Sequence, residues 1–277
     1  MREWVYNSRC LAQREPVANI ELTAVVLTLN EELRLPNCLS NLSTLRRCVV
    51  VDSGSTDRTV DVAIEIGCDV YINPWQGFAK QRNWALANTG IDTDWVLFVD
   101  ADEVYPLHFF EWFAKEVSGH SEIDAVMVPS YLFFRGRRLK FAPGYPIYHP
   151  RLVRASKVRF STNHAGHGES IEANCRHIYA GIPYEHYFYG GDLSAWLHKH
   201  VDHAFAEADA KPSVGTIETR RGKMSSWVGR SFLRVPLRFL YHFVLRQGFR
   251  DGRAGLQYAL MYTWFEATKY VIKACRR

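Results

Sequence analysis

The chain has 277 residues, of which 47% are hydrophobic and 23% charged, and its formal net charge is +5. This composition is typical of a globular protein with one large domain or two small ones, and it excludes a disordered or low-complexity chain. The charge is uneven, because residues 211–277 carry a net +11 and residues 1–210 a net −6. A basic C-terminal segment of this kind indicates contact with an anionic surface.

The six cysteines are scattered along the chain without a C-x-x-C pair, so no zinc ribbon or dithiol redox motif is expected. Buried reduced thiols favour a reducing compartment. Charged residues such as Arg2, Glu3 and Arg9 interrupt the first residues, and no run of 18 uncharged apolar residues occurs. We therefore expect neither a secretory signal nor a membrane-spanning helix, and a cytoplasmic location.

Strand and helix patterns alternate over residues 20–120. The predicted strands are Leu22–Leu29, Arg47–Asp52, Asp69–Ile72 and Trp95–Val99. Four helices are predicted. The first begins at Asn30 and continues to Leu42, the second and third span Thr59–Ile66 and Gly77–Ala87, and the fourth lies around Phe109–Val117. This order predicts an α/β fold, with a mostly parallel sheet, right-handed crossovers and flanking helices.

The pattern changes after residue 120. Strands are predicted at Ala125–Phe134 and Arg151–Arg154, and a helix at Trp196–Ala210. We expect a catalytic domain over residues 20–210, divided into halves at 20–120 and 121–210, followed by a helical tail at 211–277.

Acidic side chains crowd the end of the Trp95–Val99 strand, where Asp100 and Asp102 follow five apolar residues. Two carboxylates this close repel each other unless a cation or hydrogen-bond donors compensate them. We interpret Asp100 and Asp102 as oxygen ligands of Mn²⁺ or Mg²⁺, which would in turn bind a phosphate. The alternative interpretation is a solvated turn with helix-capping acids.

Polar residues also follow the two preceding strands: Thr28, Asn30 and Glu31 after the first, and Asp52 after the second. The carboxyl ends of parallel strands meet at one edge of the sheet, which is where ligands bind in open α/β folds. The chain has no G-x-G-x-x-G after its first strand and no Walker lysine loop. A nicotinamide site and a P-loop kinase are therefore disfavoured, and metal and side chains are expected to hold the phosphates.

A polar, glycine-rich segment at 163–170 carries His167 and Glu169, which form a candidate acid/base pair. The alternative is a hydrophilic connecting loop, and His186 is a further candidate. His198, His200 and His203 do not share one helical face, which argues against a zinc site.

Basic residues recur every four positions in the tail and predict a helical stripe beside apolar residues. They are Arg230, Arg234, Arg238, His242 and Arg246. With an apolar helix at 254–272, the tail is predicted to form amphipathic helices that lie on the inner face of the cytoplasmic membrane. The alternative is a helical bundle packed on the catalytic domain.

Four motifs in the first half resemble the family-2 glycosyltransferases of the GT-A fold, in content and in spacing. They are Thr28-Leu29-Asn30-Glu31, Val51-Asp52-Ser53-Gly54-Ser55-Thr56-Asp57, Lys80-Gln81-Arg82-Asn83 and Asp100-Ala101-Asp102-Glu103. The second half resembles a bacterial branch near the lipopolysaccharide-core and exopolysaccharide glucosyltransferase-like proteins. That likeness rests on Gly144-Tyr145-Pro146, Arg151-Leu152, Gly166-His167-Gly168-Glu169, His186-Tyr187 and Gly248-Phe249-Arg250-Asp251-Gly252.

The resemblance implies a role for each matching position. Thr28, Asn30 and Glu31 would line the pocket for the base and ribose, and Asp52 would contact the base. Arg82 and Asn83 would lie near the nucleotide and its diphosphate. Asp100 would approach the ribose and the metal, and Asp102 would ligate Mn²⁺ or Mg²⁺.

The resulting hypothesis is an inverting glycosyltransferase that takes a sugar from a nucleotide-diphosphate donor, with Glu169 as the general base. The expected acceptor is a hydroxyl of a lipid-linked or lipopolysaccharide-core-like glycan. A polyprenyl-phosphate sugar synthase and a non-catalytic sugar-nucleotide-binding protein remain alternatives. A nucleic-acid binder would leave the strand-end acids unexplained, so no nucleic-acid partner is expected.

Overall fold

The structure is a computed structural model that describes residues 20–143, 145–161, 170–172, 174–209 and 232–276. Within these ranges ten strands form one mixed sheet. The strands are β1 (Ile20–Thr28), β2 (Leu45–Asp52), β3 (Asp69–Ile72), β4 (Trp95–Asp100), β5 (Glu103–Val104), β6 (Ala125–Phe134), β7 (Arg137–Arg138), β8 (Ile147–Arg154), β9 (His177–Tyr179) and β10 (Tyr184–His186).

Helices flank the sheet and continue to the C-terminal end of the described chain. They are α1 (Leu35–Leu39), α2 (Thr59–Ile66), α3 (Phe78–Asn88), α4 (Leu107–Glu116), α5 (Leu193–Asp209), α6 (Arg234–Phe239) and α7 (Gly252–Cys275). A π-helical segment at Leu240–Leu245 and a 3₁₀ turn at Gly248–Asp251 join α6 to α7. The predicted α/β class with C-terminal helices is confirmed.

Four parallel strands in the order β3-β2-β1-β4 form the first half of the sheet. In this register Thr28 pairs with Asp52, and Leu27 with Asp100. The polar strand ends therefore meet at one edge, as the pattern predicts. The apolar runs of β1 and β4 are continuous because both faces of these strands are buried.

The second half of the sheet is mixed, since β8 pairs antiparallel with both β4 and β6. Strand β8 begins at Ile147, four residues before the predicted strand, because its first residues pair with β6. Strands β9 and β10 then lie parallel to β6. This arrangement brings Arg151 of β8 beside the end of β4.

Each face of the sheet has its own apolar core. Leu22, Val26 and Leu97 pack with Phe109 of α4 on one face, and Val25, Phe98 and Phe160 pack with Ala85 of α3 on the other. Burying each of the large side chains contributes about 1.5–3 kcal/mol.

The helix predicted to begin at Asn30 begins instead at Leu35. Asn30 has a left-handed φ of 54°, and its backbone N–H donates to Ser55 Oγ at 2.8 Å. The backbone N–H of Glu31 donates to Thr59 Oγ1 at 2.7 Å. These amides bind side chains between the end of β2 and the start of α2. Residues 30–34 therefore form a loop at the edge of the sheet where the polar strand ends meet.

The C-terminal helices pack on the body of the protein. Ala204 of α5 forms an apolar cluster with Phe265 and Ile272 of α7, and Tyr258 of α7 packs with Leu132 of β6. The Asp251 carboxylate accepts three consecutive backbone amides, from Lys140 at 2.9 Å, Phe141 at 3.0 Å and Ala142 at 2.9 Å. One side of the tail therefore belongs to the folded core, as the alternative of a packed bundle describes.

The basic stripe predicted in the tail does not form one solvent-facing row. Arg234 and Arg238 both pair with the buried carboxylate of Glu266, and Lys269 joins them at 3.1 Å. His242 is buried, and burial lowers its pKa to about 4. Arg230 lies outside the described residues. The π-helical segment also changes the helical period, so a spacing of four no longer keeps residues on one face.

Across the described parts of the chain, no helix combines the length and apolarity that crossing a membrane requires.

Candidate active site

The edge of the sheet where the polar strand ends meet is built around the Asp52 carboxylate, which is fully buried at the end of β2. Its Oδ1 accepts the backbone N–H groups of Gly54 at 2.9 Å and Ser55 at 2.7 Å. Its Oδ2 accepts the hydroxyls of Thr28 at 2.8 Å and Ser55 at 2.5 Å. Asp52 and Thr28 thus fix the turn that follows β2, and a direct contact of Asp52 with a base stays a prediction.

Asn30 and Glu31 follow β1 at the same edge of the sheet. Asn30 Oδ1 accepts the backbone N–H of Thr56 at 2.8 Å, which ties the two strand-end loops together. Glu31 binds Arg34 Nη2 through Oε1 at 2.7 Å. Burial raises the pKa of Glu31, against the opposing effect of Arg34. Glu31 and Arg34 therefore present an ion pair at the mouth of the site.

Asp100 lies between two buried guanidinium groups. Its Oδ1 is 3.1 Å from Arg82 Nη2, and its Oδ2 is 2.7 Å from Arg151 Nη2. Arg82 lies on α3 and Arg151 on β8, so one carboxylate joins a helix to the two halves of the sheet. Since each Asp100 oxygen already accepts an arginine N–H, Asp100 is held in position at the end of β4. Its predicted role as a metal ligand beside Asp102 stays a prediction.

Glu103 is the second carboxyl group that Arg151 binds, beside Asp100. It is fully buried, its Oε1 accepts the same Arg151 Nη2, and its Oε2 accepts the Asp100 backbone N–H at 3.3 Å. Burial raises the pKa of Glu103 to about 8. Neither Arg151 nor Glu103 has a role predicted from the sequence. An arginine within the apolar strand at 151–154 was the available signal, because such a charge requires a buried partner.

Asp102 lies at the open side of the cluster and faces His186, whose Nε2 is 3.5 Å from Asp102 Oδ2. Arg34 Nη1 is 4.0 Å from the same oxygen. Burial alone would raise the pKa of Asp102, but His186 lowers it well below its usual range. Burial would lower the pKa of His186, and Asp102 raises it. A cavity of about 70 Å³ lined by Arg34, Asp102 and Tyr187 opens beside this pair.

A divalent cation fits the donor set of Asp102 and His186. Asp102 stays ionised at neutral pH. Since Asp102 raises the pKa of His186, the imidazole would release its proton when it ligates the ion, as metal-binding histidines do. Among residues that the structure describes, no group of three or more His, Cys, Asp or Glu side chains is arranged to hold an ion. Mg²⁺ is commonly held by one or two carboxylates together with substrate phosphates, so two protein ligands are sufficient at this position.

Asn83 has a structural partner in Phe160. Its Nδ2 donates to the Phe160 carbonyl at 2.9 Å, and its Oδ1 accepts the Phe160 backbone N–H at 2.8 Å. Both polar atoms of the amide are therefore used in fixing the chain just before residue 162. A contact between Asn83 and the nucleotide stays a prediction.

The predicted base, Glu169, and its neighbour His167 lie outside the described residues. The described residues on either side of them are held together, because Ser161 N–H donates to the Ser170 carbonyl at 2.8 Å and Phe160 bridges Ile171. Asn83 therefore anchors this junction to α3.

The chain is similar in sequence to known glycosyltransferases. The glycosyl transferase family 2 model matches residues 23–168. The lipopolysaccharide core biosynthesis glycosyltransferase LpsC of Rhizobium meliloti is 36% identical over 92 residues, which are 31% of this chain and 33% of LpsC. An uncharacterized glycosyltransferase of Rickettsia bellii is 36% identical over 84 residues, which are 30% of this chain and 28% of that protein. The match thus spans about a third of these curated relatives.

Among solved structures, glucosyl-3-phosphoglycerate synthase from Mycobacterium tuberculosis is 28% identical, over 42% of this chain and 44% of that one, with a TM-score of 0.33. That enzyme was crystallised with Mn²⁺, uridine diphosphate and glucosyl-3-phosphoglycerate. The family match covers more than half of the chain and includes every strand of its parallel half except the first residues of β1. The chain therefore belongs to glycosyl transferase family 2, as the resemblance implied, and with it to the GT-A type of fold.

Proposed function

We propose that this protein is a metal-dependent, inverting glycosyltransferase with a nucleotide-diphosphate sugar, such as a UDP-sugar, as its donor. The observation that supports this most is the meeting of Thr28, Asp52 and Asp100 at one edge of adjacent strands, beside the Asp102–His186 pair. Family membership supplies the reaction class.

The donor site follows from this edge. The loops that Asp52 and Asn30 hold would receive the base and ribose. Arg82 and Arg151 would fix the orientation of Asp100 toward the ribose and the metal. When bound at Asp102 and His186, Mn²⁺ or Mg²⁺ supplies Lewis-acid stabilisation of the charge on the departing diphosphate.

Transfer requires one displacement at the anomeric carbon. The bond to the acceptor oxygen forms as the bond to the diphosphate oxygen breaks, on opposite faces of the sugar. Glu169 is proposed to take the proton of the acceptor hydroxyl, with His167 beside it. This division of labour leaves Asp102 to the leaving group and Glu169 to the nucleophile.

The acceptor is proposed to be a lipid-linked or lipopolysaccharide-core-like glycan at the inner face of the cytoplasmic membrane. An exposed apolar surface on the C-terminal helices supports this, and we name it the apolar ridge. It consists of Leu233, Leu237, Leu240, Tyr241, Val244, Leu245 and Phe249, each more than 40% exposed. Scattered exposed apolar residues are normal on a protein surface, but seven large ones within residues 233–249 are more than scatter and indicate an interaction site. The name of LpsC agrees with this class of acceptor.

A thermal-shift panel of nucleotides and nucleotide sugars, with and without Mn²⁺, tests the donor half of the proposal. A ligand at 100 times its Kd stabilises the protein by about 2.7 kcal/mol, and we expect such a shift only when Mn²⁺ is present. Asp102→Asn should abolish the shift, whereas Asp61→Asn, an exposed substitution on α2, should retain it. A wild-type protein that no nucleotide stabilises would contradict the proposal.

A further inference from the structure

Four tyrosines form an aromatic surface on the second half of the sheet, on the face that carries Asp100. We name it the tyrosine platform, and it consists of Tyr131, Tyr145, Tyr148 and Tyr179. Tyr148 of β8 lies opposite Pro129, and Tyr179 of β9 lies opposite Met127. Pro129 and Met127 are in alternating register with Tyr131 on β6, so Tyr131, Tyr148 and Tyr179 share one face of the sheet.

The rings of the tyrosine platform are arranged in two contacting pairs. Tyr131 and Tyr145 have ring centroids 4.8 Å apart, and Tyr148 and Tyr179 also have centroids 4.8 Å apart, at an interplanar angle of 78°. The platform is open to solvent, since Tyr179 is 60% exposed and Tyr145 is 40% exposed. The opposite face of β6 buries Val126 and Val128 in the core, so the exposure of the platform is not a consequence of poor packing.

Cationic side chains border the tyrosine platform. The Arg138 guanidinium lies 3.2 Å from the centroid of Tyr131 and 5.8 Å from that of Tyr145. Arg135 lies on the turn between β6 and β7, Arg137 and Arg138 form β7, and all three are exposed. Because the Arg138 guanidinium covers the face of Tyr131, a ligand would stack on the exposed rings of Tyr145 and Tyr179 and meet a positive charge at their border.

Strand β8 connects the tyrosine platform with the candidate active site. Strand β8 carries Arg151, which binds Asp100, and Tyr148 lies three residues away along the same strand. At about 3.3 Å per residue, Tyr148 is about 10 Å along the strand from Arg151. A molecule on the platform could extend one to two sugar units to reach the Asp100 edge.

We propose that the tyrosine platform is the acceptor subsite and binds an anionic oligosaccharide, one whose sugars carry a phosphate or carboxylate group. Pyranose rings have apolar C–H faces that stack on tyrosine, and the tyrosine hydroxyls and arginines bind the polar edges. This inference rests on the proposed function and adds the chemical class of the acceptor. A protein partner is disfavoured because the bordering charge is of one sign and strand β8 connects the platform with the candidate active site.

Saturation-transfer NMR with two commercial tetrasaccharides tests this subsite directly. The probes are hyaluronan tetrasaccharide, which carries carboxylates, and neutral chitotetraose. We expect transfer to the C–H protons of both, stronger for the anionic probe. Tyr179→Ala should reduce the transfer at least 5-fold, and Tyr179→Phe should retain it because the flat ring remains. Arg138→Gln should remove the preference for the anionic probe.

Matched controls separate the subsite from folding and from the donor site. Phe205→Ala removes an aromatic ring on α5 that is 44% exposed, and Arg253→Gln removes an exposed charge on α7. Neither substitution should change the transfer. Stabilisation by uridine diphosphate with Mn²⁺ should be the same in all variants. If the donor shift is absent but the tetrasaccharides bind, the proposed function fails and the glycan site stands.

The contrary outcomes are equally distinct. Equal transfer in wild type and Tyr179→Ala, or no transfer to either probe, would overturn the subsite. The platform could instead be covered by a second copy of the chain, and sedimentation analysis tests this. A wild-type dimer that Tyr179→Glu converts to a monomer would assign the platform to that contact and overturn the subsite.

Discussion

Arg151 Nη2 lies 2.7 Å from Asp100 Oδ2, which joins an antiparallel strand of the second half of the sheet to the last residue of the central parallel strand β4. Arg151 is 1% exposed, whereas the Asp100 side chain is 20% exposed and also contacts Arg82 through its other oxygen. The acidic motif at the end of β4 therefore depends on a residue that comes 51 positions later.

Arg151→Met is expected to destabilise the protein by about 1–3 kcal/mol, because the buried Glu103 carboxyl loses its hydrogen-bond partner Arg151 while Asp100 keeps Arg82. Urea unfolding at pH 7 measures the change. The matched control is Arg46→Met on β2, whose ion pairs with Glu21 and Asp92 are exposed, and it should change stability by less than about 1 kcal/mol. Equal stabilities for the two variants would mean that Arg151 is not needed to hold Asp100.

Glu169→Gln is expected to retain nucleotide-sugar binding and to lose transfer by about 10²-fold or more, because it removes a general base while keeping shape. His167→Gln should have a smaller effect if the imidazole only assists. Single-turnover transfer, measured with binding by thermal shift, separates the two steps. Full transfer activity in Glu169→Gln would place the base at another residue.

Leu237→Asp combined with Leu245→Asp is expected to weaken binding to vesicles of phosphatidylcholine with 30% phosphatidylglycerol by at least 10-fold. Both leucines belong to the apolar ridge, and burying each contributes up to about 1.5–3 kcal/mol. Ile64→Asp with Ile66→Asp on α2 is the control, since these side chains are equally exposed on another surface. Vesicle binding that survives the ridge substitutions unchanged would exclude the ridge as the membrane contact.

Point substitutions are preferable to removal of the tail. Deleting residues 231–277 would also remove Tyr258, Phe265 and Asp251, which pack on or bind to the body of the protein. Loss of membrane binding by such a truncation would not distinguish the apolar ridge from general unfolding.

His242 is expected to make the protein less stable in acid. Its folded-state pKa of about 4 is below the unfolded value of about 6.5, because it is buried beside Arg238 and Arg246. The unfolded chain therefore binds the proton more readily between these values, and stability falls as the pH falls from about 6.5 to 4. Between pH 7.5 and pH 5 the loss should be about 2 kcal/mol.

His242→Gln isolates that effect, because it keeps a polar side chain near Tyr258 and removes the titration. Urea unfolding of both proteins at the two pH values should show that the wild type loses about 2 kcal/mol more than the variant between pH 7.5 and pH 5. A pH dependence that is identical in wild type and variant would contradict the assignment to His242.

The strand ends could be predicted from sequence because strands buried on both faces leave a continuous apolar run that stops abruptly at Thr28, Asp52 and Asp100. Their meeting at one edge then follows from parallel order alone.

Contacts between distant segments could not be predicted in the same way. The helix after β1 begins late because Asn30 binds residues about 25 positions ahead, which no local pattern reports. Arg151 and Glu103 pair only because β8 returns antiparallel beside β4. In the tail, a spacing of four predicted an exposed stripe, whereas Arg234 and Arg238 turn to a single acid 28 or more residues away.

The junction at Asp251 has a consequence for how an acceptor could be presented. Its carboxylate holds the segment at 140–142 by three amides. A Cβ at Gly248 would lie 3.0 Å from the Ala142 Cβ, so the tail and the body approach too closely at this point to slide past each other. Any bilayer in contact with the apolar ridge would then lie at one fixed height below the sheet edge. The length of the acceptor would then decide whether it reacts. A glycan too short to span that height could not present its hydroxyl at the candidate active site, whatever its composition.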